Sequence, residues 1–122
     1  RNYIYKLLKI PYAAVPKLIS HIHFNPEHPE NHNIKITNKK LPYASVFNKN
    51  GKWEVRDKKS VIEDIVDKSY NMLDCEFIDT DPKLTSNQKK RYKEFQKKYD
   101  TEDKTLTKQL NKDTELNILN NS

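Results

Sequence analysis

The chain is poor in the residues that build many familiar sites. It has one glycine, one cysteine, one methionine and one tryptophan among 122 residues. A single glycine excludes a glycine-rich phosphate cradle of either common type, because both need several positions free of a side chain. A single cysteine, Cys75, excludes an internal disulfide framework and any multi-cysteine zinc site. No run approaches the ~18–20 apolar residues that cross a bilayer, and no basic-then-apolar stretch ends in small residues as a leader would. These absences predict an intracellular, cytoplasmic protein held away from membranes. The chain opens on Arg1 and closes on the polar run Asn120-Asn121-Ser122, as expected of a segment of a longer protein.

Charge is plentiful. Charged residues make up 33% of the chain and hydrophobic ones 34%, so a core must draw on its seven tyrosines and four phenylalanines, which bury much area per residue. The net charge of +6 is unevenly placed: residues 1–60 carry +8 and residues 61–122 carry −2. The first half is therefore the candidate for meeting a polyanion; its ordinary alternative is a solvated, lysine-rich surface.

The spacing predicts a short helix over Tyr3–Ile10, ended by Pro11, and a second helix with Pro16 in its first turn and Leu18, Ile19, Ile22 and Phe24 on its apolar face. Residues 25–33 (NPEHPENHN) hold two prolines and three asparagines and predict a loop. Alternation over Asn33–Thr37, Tyr43–Phe47 and Lys52–Arg56 predicts three strands. Asn50-Gly51 between the last two is the preferred type I′ pair, so a hairpin and a three-stranded antiparallel meander follow. Ser60-Val61-Ile62-Glu63 is a capping box opening a helix with the stripe Ile62, Ile65, Val66, Tyr70, Leu73 and Phe77, which should cover one face of the meander. Cys75 is expected as a small core residue of that helix. Asp79-Thr80-Asp81-Pro82 marks a break. Thr85 starts a helix with Tyr92, Phe95 and Tyr99 on one side, and a last helix from about Thr101 is anchored by Leu106, Leu110, Leu116 and Leu119. The expected organisation is an α+β core over residues 1–79 and a C-terminal helical appendage over 80–122.

Two constellations could carry chemistry. All four histidines, His21, His23, His28 and His32, fall beside Glu27 and Glu30, and imidazoles with carboxylates bind zinc and similar cations. Two prolines stiffen that stretch, and helical neighbours two apart diverge, so the favoured reading is a hydrogen-bonded structural loop built on His23, Asn25, Glu30, Asn31 and Asn33, with no metal. An HNH-type nuclease is the enzymatic alternative: His23 would activate water and Asn25 or Asn31 orient it. The Ser60 helix, however, offers no histidine as a ligand, only Glu63, Asp64 and Asp67. No catalytic set and no cofactor are expected. The second constellation is basic. Lys35, Lys39, Lys40, Lys52 and Arg56 on or beside the strands, and Lys89, Lys90 and Arg91 interleaved with Tyr92, Phe95 and Tyr99, could neutralise phosphates of DNA or RNA in a salt-dependent, sequence-blind way.

His23-Phe24-Asn25, Pro29-Glu30-Asn31, Asn33-Ile34, Tyr43-Ala44 with Val46, Gly51-Lys52-Trp53, Asp57-Lys58 and the Ser60 helix together form a long phrase. Over Pro16–Phe77 it resembles a C-terminal domain of uncharacterised mimivirus-like giant-virus proteins, often found behind a short zinc finger. The resemblance implies no catalytic residues. It implies a domain of a larger viral protein in the host cytoplasm or a viral factory; taken with the basic surface, the expected function is a non-enzymatic interaction domain associated with nucleic acid. The alternative is a structural module that self-associates into a homo-oligomer through its C-terminal helices.

Overall fold

The computed structural model describes residues 2–27, 29–80 and 83–121, apart from the side chains of Asn2 and Thr80. The architecture is α+β: α1 (Asn2–Leu7), α2 (Pro11–His23), a 3-10 turn (Pro29–Asn31), β1 (Ile34–Lys35), β2 (Tyr43–Phe47), β3 (Trp53–Asp57), α3 (Lys58–Thr80), α4 (Ser86–Asp100) and α5 (Lys104–Asn120). The strands form one antiparallel sheet in the order β1-β2-β3.

Helix α2 begins five residues earlier than the prolines suggested. Pro11, not Pro16, takes the start of the helix, where its fixed φ is already helical and its missing N–H costs nothing. Pro16 lies inside α2 and forgoes the bond to the Tyr12 carbonyl. Its own carbonyl accepts the Asn117 amide from α5 at 2.8 Å, tying the interrupted turn to its neighbour.

The hairpin forms, but with a different turn. Gly51 is left-handed at φ +77, whereas Asn50 is not among the residues of positive φ, so the pair is not type I′. The Gly51 N–H bonds the Asn48 carbonyl and the Asn48 N–H bonds the Lys52 carbonyl, the pattern of a three-residue loop with glycine in the left-handed position. The Asn48 side chain accepts from the amides of Asn50 and Lys52 at 3.0 and 3.1 Å and takes over part of the work expected of Asn50.

Helix α3 also starts early. Asp57, the last residue of β3, accepts the Ser60 N–H at 3.0 Å, so the cap is Asp57 rather than Ser60. Ile62, Val66, Tyr70, Leu73 and Phe77 are buried as the stripe requires. Cys75 is exposed, contrary to expectation, because it sits two positions past Leu73, roughly 200° round the helix.

The C-terminal helices are not an appendage. Tyr92 and Phe95 of α4, and Leu106, Leu110 and Ile118 of α5, belong to the same buried cluster as Leu18 and Ile19 of α2 and Leu73 of α3. The boundary expected after residue 79 falls inside α3 and inside one continuous core; of the expected break, Asp81 and Pro82 lie outside the described residues. Thr85 and Gln88 cap the start of α4 reciprocally. The buried stripe of α5 runs Leu106, Leu110, Thr114, Ile118, with Leu116 and Leu119 only half-buried. The Thr114 hydroxyl is buried without a hydrogen-bond partner. No helix among the described residues is long and apolar enough to cross a membrane.

Candidate nucleic-acid interface

Strand alternation divides the meander into two unlike faces. Ile34, Ala44 and Val46 point to the helices; Ile34 and Ala44 are fully buried and Val46 packs against the core. The register Phe47↔Trp53, Ser45↔Val55 and Tyr43↔Asp57, with Lys35↔Ser45, puts Lys35, Tyr43, Phe47, Trp53 and Val55 together on the other face. Nothing among the described residues packs over that face. Tyr43 is 57% exposed, Phe47 43%, Trp53 41% and Val55 66%. The Phe47 and Trp53 rings meet edge to face at 5.3 Å, and the Lys35 ammonium lies 4.1 Å from the centre of the Trp53 ring.

The strand cations expected to touch a polyanion are distributed around this face. Lys35 is on it. Lys39 and Lys40 are exposed in the β1–β2 connection at one end, and Lys52 is exposed in the hairpin at the other, about 16 Å away along five-residue β2. Arg56 pairs with Ala44 and so belongs to the opposite face, exposed at the margin of the sheet. The Lys39–Lys40 loop is anchored: the Lys58 ammonium donates to the Lys39 carbonyl at 2.8 Å and to Glu115 of α5 at 3.1 Å. The second basic group, Lys89, Lys90 and Arg91, is carried by α4, which packs on α2, α3 and α5, and it does not join the strand lysines. Tyr92 and Phe95, interleaved with it in sequence, are wholly buried.

The histidine-rich loop is a hydrogen-bonded hinge between α2 and β1. His23 Nδ1 lies 3.2 Å from the Asn31 carbonyl and 3.0 Å from Asn33 Oδ1; with a carbonyl as partner, that nitrogen carries the proton. His32 Nε2 donates to the Asn25 carbonyl at 2.9 Å, and Asn25 Oδ1 accepts the Glu27 N–H. Glu30 is exposed on the 3-10 turn, and His21 stacks on Tyr3 at 4.1 Å. His28 lies outside the described residues. No three His, Cys, Asp or Glu side chains among the described residues are placed to hold a metal ion. Glu63 and Asp67 instead line a cleft with Tyr99, Asp100, Glu102 and Lys104 that contains no histidine.

The remaining concentration of polar chemistry joins α3 to α4. Tyr70 donates to Asp100, Tyr92 to Asp74 and Tyr99 to Asp67, and Gln96 adds a bond to Asp74. Burial first, and these carboxylates second, hold all three phenols well above their ordinary range. At neutral pH such phenols stay protonated and act as hydrogen-bond donors in this contact.

The aromatic face itself was missed in the sequence because YASVF is apolar at both parities. The available signal was size: the outward set is Tyr43, Phe47 and Trp53, whereas the inward set is Ala44 and Val46.

No family model matches the chain, and no curated protein or solved structure matches it at a significant level.

Proposed function

We propose that the chain is a non-enzymatic interaction domain of a larger viral protein that binds nucleic acid through the basic surface of its meander. The viral part of this reading rests on the phrase running from His23 to Trp53 and beyond. The binding part rests on one observation: residues 34–57 carry six basic and two acidic side chains, a net charge of +4, and Lys35, Lys39, Lys40 and Lys52 stand on or at the ends of the uncovered face. Of the two acids, Glu54 is on the opposite face, and Asp57, which shares the aromatic face beside Tyr43, is engaged as the cap of α3. Lys35, Lys39, Lys40 and Lys52 therefore form a rim of cations with no carboxylate hydrogen-bonded among them within the described residues.

Self-association through the C-terminal helices has less to work with, since the stripes of α4 and α5 are spent inside the chain's own core.

Titration of a fluorescein-labelled oligonucleotide by anisotropy, repeated across salt, tests the proposal. The expected outcome is binding whose log affinity falls linearly with log salt, by about 0.7–0.9 per phosphate neutralised. Replacing both Lys39 and Lys40 by Gln should lower that slope by up to about two contacts' worth. No binding at low ionic strength, or an affinity indifferent to salt, refutes it.

A further inference from the structure

We infer that the outward face of the meander is a stacking platform for single-stranded nucleic acid, with unpaired bases laid on Trp53, Phe47 and Tyr43 and the backbone tracked by the surrounding lysines; this rests on the nucleic-acid reading above and specifies its ligand. Scattered exposed apolar side chains are ordinary on a protein surface. Three aromatic rings and a valine gathered on one side of a three-stranded sheet are not scattered, and a contiguous exposed patch of this kind marks an interaction site.

The rings are held for use. Phe47 packs edge-on against Trp53, which limits the tilt of both, and both rise from paired strand positions. Tyr43 stands four residues along the same strand, about 13 Å away, so the platform is long enough for the two or three bases that other sheet surfaces stack. Every base has a π-face, so such contacts tolerate any sequence.

The ligand is a single strand because a duplex keeps its bases stacked on one another and presents only phosphates and groove edges to a flat sheet. The lysine rim would serve either form, whereas the rings serve only unpaired bases. Lys35 reinforces the point. Its ammonium rests over the Trp53 ring, a cation–π contact that a base would displace, leaving the ammonium at the edge of the ring, where a backbone phosphate follows. The same positive charge opposes the main rival occupant, a second copy of this chain, because two such faces would bring one lysine rim against the other.

The test uses the whole chain, a labelled 12-nucleotide oligo(dT), an RNA of mixed sequence and a hairpin duplex of equal phosphate count, at one fixed salt. The single strands should bind at least tenfold tighter than the duplex. Trp53→Ala and Phe47→Ala should each weaken single-strand binding by roughly 5- to 150-fold and leave duplex binding within about twofold. Trp53→Phe should retain most of the affinity. Both residues are exposed, so circular dichroism should show that each variant keeps its helix content. If single strand and duplex bind equally and the alanine variants change neither, the platform is refuted while the basic-surface reading stands. If no nucleic acid binds at low salt, both fall. If sedimentation shows a dimer that Trp53→Ala dissolves, the face belongs to a second copy and the inference is overturned.

Discussion

Glu102 occupies a position at which glycine is the usual residue. Its φ of 56 is left-handed, and the bonds from its own N–H to the Tyr99 carbonyl and from Asp103 to the Lys98 carbonyl are those of a Schellman ending to α4. A side chain there is strained by roughly 1 kcal/mol relative to glycine. Glu102→Gly should therefore stabilise the chain by about 0.5–1 kcal/mol, seen as a higher urea midpoint at unchanged slope; a lower midpoint contradicts the assignment. Gly51 makes the reverse case. A methyl group at that position would meet no atom within 4 Å, so only backbone conformation holds the glycine in place.

Among the elements, the helices were the most legible in the sequence and the sheet the least. The stripe from Ile62 to Phe77 and the Thr85 cap are local signals, settled within two turns of chain, and they place α3 and α4 correctly. Ser60 and Asp57 are both competent caps for α3, and the choice falls to the end of β3, which delivers the Asp57 carboxylate to the Ser60 amide. Which face of the meander is buried depends on how α3 folds back over it and on α5, far along the chain, and YASVF has apolar residues at either parity. The histidine loop was legible in residue type but not in partners, since bonds such as His23 to Asn33 span the turns between. The α3–α4 contact also carries a pH signature. The phenols of Tyr70, Tyr92 and Tyr99 are raised in the folded chain, chiefly by burial, so unfolding lets them ionise at tyrosine's usual value of about 10. Their contribution is fully present below that pH and drains away above it. Urea midpoints should be level with respect to these groups up to about pH 10 and fall beyond it, and Tyr92→Phe should make the fall shallower. A wild-type curve that stays flat to pH 11.5 contradicts this.

On the scale of the molecule, one core replaces the two units expected. The division after residue 79 looked reasonable because Asp79–Pro82 is polar and the leucines of α5 are sparse. Yet Tyr92, Phe95, Leu106, Leu110 and Ile118 are nearly inaccessible. Five such side chains bring roughly 8–15 kcal/mol of burial before entropy is counted, as much as the whole net stability of a typical domain. A chain truncated after Lys83 should therefore lack a cooperative thermal transition and show collapsed amide dispersion in NMR. A well-dispersed spectrum from that fragment would restore the two-unit reading. The same layout separates the chromophores. The sole tryptophan stands on the uncovered sheet, while Tyr70, Tyr92 and Tyr99 are packed between helices at the core. Indole emission thus reports occupancy of the sheet surface and far-ultraviolet dichroism reports the integrity of the helices, so a single unlabelled sample separates ligand uptake from unfolding.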